Sequence, residues 1–149
     1  MSHDYDSPWK EAIENLFEEF MTFFFPDCAK EIDWTQAPKF LDKELEKIAK
    51  DAAIGRRYAD KLVQVWLKTG DSIEVFIHIE VQKESERDFS ERMYIYNYRT
   101  FDRYIDTAGQ HKIASFALLC FPDTQEHASA YKRTFWGNQV TFTFPVVKI

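Results

Sequence analysis

From Trp9 onward the apolar residues Ile13, Leu16, Phe17, Phe20, Met21 and Phe24 recur at steps of three and four, and the run ends at Pro26. That spacing predicts one amphipathic helix. Ser7 followed by Pro8 opens it, since Ser caps a helix and Pro is tolerated in the first turn, where its missing N–H costs nothing. The polar side carries Glu11, Glu14, Glu18 and Glu19, an acidic face for solvent, with Glu14 at the border of the stripe. Within 27–53 a loop or short strand leads to a second, shorter helix in LDKELEKIAKD, whose opposite charges stand four apart. The Gly55-Arg56-Arg57 turn closes it.

The pattern then changes period. Residues 58–68, YADKLVQVWLK, and 72–82, SIEVFIHIEVQ, are rich in Val, Ile, Trp and Phe and flank Thr69-Gly70-Asp71. Two such runs around a short Gly-containing loop predict a β-hairpin. Helical spacing returns over 88–104, with Phe89, Met93, Tyr96, Phe101 and Tyr104 near one side. A third strand is expected over 113–121 after the Gly109 break, and an edge strand over 139–147, because Pro145 interrupts that alternation.

The hairpin carries the candidate chemistry. In IHIEVQ, His78, Glu80 and Gln82 fall on one face of a strand and Ile77, Ile79 and Val81 on the other. With a three-residue loop, partners across the hairpin have numbers summing to 140, which sets Asp60 opposite Glu80. Directly opposed residues have Cβ atoms ~4.5–5.5 Å apart, so two carboxylates would repel unless a cation compensates. A divalent metal would do so, and Mg²⁺ favours one or two carboxylates together with phosphate oxygens. The blander reading is a solvated acidic pair offset by Lys61, Lys83 or Arg57.

Composition narrows the remaining classes. Hydrophobic residues make up 45% and aromatics 17% of 149 residues, which describes an ordinary globular chain read as a single domain over 1–149. A net charge of −6 is wrong for a nonspecific nucleic-acid coat, leaving only local basic faces for DNA. Cys28 and Cys120 lack any CxxC or CxH spacing, so zinc and a disulfide framework are disfavoured and two buried thiols are expected. No apolar stretch approaches the ~20 residues of a membrane helix and the N-terminus lacks a signal-peptide layout, so the reading is soluble, cytoplasmic and without a membrane partner. Walker, GxSxG and Rossmann fingerprints are missing.

Other residues are weighed for smaller roles. Arg92, Arg99 and Arg103 stand seven and four apart on the predicted helix, either a phosphate-contacting row or a solvated face paired with Glu91, Asp102 and Asp106. Arg56, Arg57 and Lys61 form a second basic cluster, and Lys132 with Arg133 a third. His78 either supports the site or is packed and hydrogen-bonded within the sheet, while His3, His111 and His127 lack a metal-ligand spacing partner. Trp34, Trp66 and Trp136 are expected in or near the core.

Together, HDYDSPWKEAI, EIDW, FLDKEL, GRRYADKLVQVWL, IHIEVQ and FSERMYIYNYRTFDRY resemble the recombination-promoting nuclease/transposase (Rpn) family of bacterial proteins, within the PD-(D/E)XK nuclease superfamily. The likeness runs through essentially the whole chain. It implies a restriction-endonuclease-like α/β core: a helix, a three-stranded antiparallel meander, a second helix and a further strand, giving a mixed central sheet with an antiparallel hairpin flanked by helices. It further implies that Asp60 and Glu80 bind Mg²⁺ or Mn²⁺, with Gln82 at the position where the superfamily usually has Lys. Glu14 is the weakest match, to the family's first-helix acid. The activity implied is metal-dependent DNA cleavage, with Arg57, Lys61, Arg92, Arg99 and Arg103 on DNA and a homodimer as the candidate assembly.

Two other classes stay open. One is a nuclease-like fold, left over from a mobile element, that binds DNA or a protein without cutting. The other is a partner-binding module, supported only by the acidic charge and the aromatics.

Overall fold

The structure is a computed structural model, and it describes residues 7–51, 61–69, 73–82, 87–104, 111–121 and 129–149. Three short helices open the chain: α1 (Ser7–Asn15), α2 (Phe17–Phe24) and α3 (Pro26–Glu31). The apolar stripe therefore forms two helices where one was expected. Leu16 breaks the run with φ −128° and ψ 41°, although its N–H still reaches Ala12 and its carbonyl still accepts from Phe20. Packing explains the break, because Ile13, Phe17, Phe20 and Met21 are buried while Leu16 is turned outward. Pro26 does not end the helical region either; it occupies the first turn of α3, where a proline loses no hydrogen bond.

Strand β1 (Lys39–Phe40), helix α4 (Asp42–Asp51), strands β2 (Lys61–Trp66) and β3 (Glu74–Gln82), helix α5 (Phe89–Arg103) and strand β4 (His111–Leu119) follow. A projecting hairpin of β5 (Ala130–Phe135) and β6 (Asn138–Thr143) precedes β7 (Val146–Lys148). The protein is thus an α/β fold with a five-stranded mixed sheet, ordered β1-β2-β3-β4-β7, plus a separate two-stranded hairpin. β1, β2 and β3 are antiparallel neighbours, whereas β3–β4 and β4–β7 are parallel. The C-terminal run expected as one edge strand is divided at Pro145 between β6 and β7. Pro has no N–H for a ladder, and its carbonyl instead accepts from Ala117.

The β2–β3 register is the expected one: Lys61 pairs Ile79, Leu62 pairs His78 and Trp66 pairs Glu74, all summing to 140. As the middle strand, β3 is buried on both faces over most of its length, as a strand flanked by helices on each side must be. One face packs Val63, Val65, Ile77, Ile79, Val81, Phe116 and Leu118 against α1–α3. The other sets Leu62 and Phe76 under α4 and Tyr96, and Ala117 and Leu119 under Phe89 and Met93 of α5. Among the described residues no helix is long and apolar enough to cross a membrane. Cys28 and Cys120 are half-buried and not in a disulfide, less enclosed than expected.

Candidate functional site

Alternation along β3 sends His78, Glu80 and Gln82 to the face that α5 covers. A covered strand face with three polar side chains calls for an accounting of their partners, since each buried polar atom left without one costs about 1–3 kcal/mol. Glu80 is fully buried, and its charge is met by Arg92, whose Nε donates to Oε1 at 2.6 Å. Arg92 stands three residues into α5, so the helix start drops its guanidinium onto the strand. The same side chain lies 3.7 Å from the Asp88 carboxylate and 5.5 Å over the Phe89 ring.

On the other side of Glu80 the parallel pairing brings Ser115 of β4 beside His78. Asn97 Nδ2 donates to Ser115 Oγ at 3.1 Å, and Ser115 Oγ lies 3.2 Å from His78 Nδ1. Ser115 Oγ can donate to Nδ1 while Nε2 faces the Glu80 carboxylate, an arrangement that favours the imidazole proton on Nε2. Nε2 faces Glu80 Oε2 at 3.5 Å without forming a hydrogen bond. The imidazole also lies against the Tyr96 ring, with centroids 4.6 Å apart. His78 is therefore packed and hydrogen-bonded within the sheet, one of the two expectations for it, and it adjoins Glu80.

Among the described residues, three buried atoms of this row find no hydrogen-bond partner: His78 Nε2, Glu80 Oε2 and Gln82 Nε2. They belong to alternate residues of one strand and face the same way. An imidazole N–H, a carboxylate oxygen and an amide N–H in this order along the strand can hold a hard cation at the oxygen and donate to an anionic oxygen or a water beside it. Asp60, the second expected ligand, lies outside the described residues, as does Arg57. Among the described residues no group of three or more His, Cys, Asp or Glu converges to hold a metal.

The remaining candidates are distributed differently from expectation. Lys61 is buried, and its Nζ is held by Asp42 at 3.2 Å and Glu14 at 3.6 Å, so it closes an edge between α1 and α4 instead of facing a phosphate. Glu14 accordingly meets Lys61. Arg92 is buried against Glu80, while Arg99 and Arg103 are exposed, so the three arginines do not form one surface row. The sequence reading missed Arg92 as the partner of Glu80; its only signal was a lone Arg between Phe89 and Tyr96 on the apolar side of the helix. Trp136 is the other correction. It is 89% exposed at the β5–β6 turn, while Trp34 and Trp66 are half-buried. Matching against family models, curated proteins and solved structures gives no match for this chain.

Proposed function

We propose that this domain is a metal-dependent DNA endonuclease with a restriction-endonuclease-like core, related to the recombination-promoting nuclease/transposase family. The observation that carries the reading is the row of buried polar atoms on β3, Glu80 Oε2 and Gln82 Nε2 with His78 Nε2 beside them, for which the described residues provide no hydrogen bond. Each such atom left unmet costs about 1–3 kcal/mol, which a bound ligand or water would recover. Two features of the fold add support. The order of helix, antiparallel strands β1, β2 and β3, helix α5 and parallel strand β4 follows the order the resemblance implies, apart from α4, which is inserted between β1 and β2. The register that would set Asp60 against Glu80 is the one Lys61 and Ile79 adopt.

Glu80 would offer one carboxylate oxygen to Mg²⁺ or Mn²⁺, and Asp60 would supply the second ligand. A divalent ion bound there supplies charge to the phosphodiester and acidifies a nearby water. Arg92 holds Glu80 through Oε1, which fixes the carboxylate and leaves Oε2 to act. Gln82 brings no positive charge and instead orients the attacking water through its amide. Arg92, beside Glu80, is the cation that Gln82 cannot be. His78, with its proton on Nε2, stabilises a developing anionic oxygen.

The test is nicking of supercoiled plasmid in Mg²⁺ or Mn²⁺, with the native protein compared with Asp60→Ala, Glu80→Gln and a chelator. Nicking that needs metal and both carboxylates supports the reading. One observation favours a second reading. Arg92 already balances Glu80 without any metal, as it would in a nuclease-fold module that binds DNA and does not cut. Native protein that binds DNA, takes up no Mn²⁺ and leaves plasmid intact would replace the first reading with the second.

A further inference from the structure

Residues 132–139 of the β5–β6 hairpin are all exposed. The base of the hairpin rests on α5, where Tyr131 and Phe142 lie against Tyr94 with ring centroids 5.1 and 5.8 Å apart. Beyond Arg133, which lies 5.8 Å over the Tyr94 ring, the two strands extend away from the domain. At the tip Phe135 and Trp136 stack on each other at 4.9 Å with an 18° tilt, and they are 68% and 89% exposed. Burial therefore does not account for either ring.

Local conformation does not account for Trp136 either. It has φ +49° and the next residue, Gly137, φ +83°, which is the two-residue turn with both central positions left-handed. Asn, Asp or Gly suit the first of these positions, and a bulky ring there is strained at a cost of order 1–3 kcal/mol. Beyond its stack on Phe135, a strained and 89% exposed indole buries little, so its value lies in what it touches.

Charge identifies the partner. All 25 acidic residues precede residue 127, whereas 127–149 holds Lys132, Arg133 and Lys148 and no acid, in a chain of net charge −6. Among the described residues, Glu91 of α5 is an acid at the hairpin base, 3.4 Å from the Tyr131 hydroxyl. Arg133, Thr134, Phe135, Asn138, Gln139 and Val140 line a concavity of about 410 Å³ behind the tip. Arg133 and Asn138 share one face of the hairpin with Phe135, and Lys132 and Gln139 lie on the other, so a cation and an amide flank the aromatic tip on each side, the elements that hold a nucleic-acid strand with phosphates on the cations and a base on the ring.

We propose that the β5–β6 hairpin is a DNA-contacting arm, in which Trp136 and Phe135 stack on a base and Lys132 and Arg133 meet the flanking phosphates. The arm rests on the reading that DNA is the partner, and it is independent of whether the domain cuts.

The experiment is fluorescence anisotropy with labelled single-stranded and duplex oligonucleotides, in chelator and across a salt series. The native protein is compared with Phe135→Ala, Trp136→Asn and the double variant Lys132→Ala/Arg133→Ala. Trp136→Asn suits the turn and should keep or raise the melting temperature while weakening binding by about tenfold. The double cation variant should lower the slope of log affinity against log salt by up to about 2. Native-like affinity in both Phe135→Ala and Trp136→Asn would overturn the arm while leaving the DNA reading standing. Failure of the native protein to bind either oligonucleotide would overturn both. Loss of a dimer in Trp136→Asn with DNA affinity unchanged would assign the tip to a second copy of the chain, which also overturns the proposal.

Discussion

Arg92 Nε lies 2.6 Å from Glu80 Oε1, joining the first turn of α5 to the middle of β3 inside the domain. Both side chains are out of water, so each depends on the other. Removing one partner of a buried pair leaves an uncompensated charge and costs about 3–5 kcal/mol. Arg92→Met and Glu80→Gln should each lose about that much in urea unfolding. The double variant should lose clearly less than the two losses added together. Strict additivity would show that the pair is not coupled in solution.

The line from Asn97 through Ser115 to His78 predicts a tautomer. With Ser115 Oγ donating to Nδ1, the neutral imidazole should carry its proton on Nε2, readable from the ring nitrogen shifts in a ¹⁵N-labelled sample. Ser115→Ala removes the shared hydroxyl and leaves Asn97 Nδ2 and His78 Nδ1 without it. The expected loss is about 1–3 kcal/mol, with His78 free to change tautomer. A wild-type spectrum showing the proton on Nδ1 would contradict the hydrogen-bond order.

These contacts also show what could be read from sequence. The β2–β3 register was legible because alternating aliphatic residues around a short Gly loop fix both pairing and facing. The partner of Glu80 was not, since Arg92 reaches it only when α5 folds back over β3 and the parallel β4 forms beside it. Lys61 looked like a surface cation for the same reason: Glu14 and Asp42, which hold it, come from helices far away in the chain. Leu16 fits the helical stripe in period, and only packing reveals that it is turned outward. The strand β5 went unseen because AYKRTF shows no hydrophobic alternation, and the Trp136-Gly137 turn was overlooked with it.

Cys28 provides a pH-dependent test. Its thiol is pushed above the ordinary range by burial, with Glu31 and then Asp27 adding repulsion. The thiolate is the nucleophile, so a raised value means less of it at neutral pH. Alkylation of Cys28 by iodoacetamide should be slower than that of an unstructured thiol at pH 7.5 and should catch up as the pH rises. Glu31→Gln should shift the rate profile to lower pH. A Cys28 rate equal to that of the free thiol at neutral pH would contradict the cause assigned.

Gly137 separates the stability of the hairpin from that of the sheet. A Cβ built on it would meet nothing within 4 Å, so replacement costs only torsional strain at φ +83°. Gly137→Ala should therefore weaken the turn by about 1 kcal/mol. The two-stranded hairpin is a sheet of its own, bonded to no strand of the five-stranded one. Faster amide hydrogen exchange should thus be confined to β5 and β6, with β3 and β4 unchanged. Exchange that rose equally in β3 would mean the hairpin and the central sheet open as one unit.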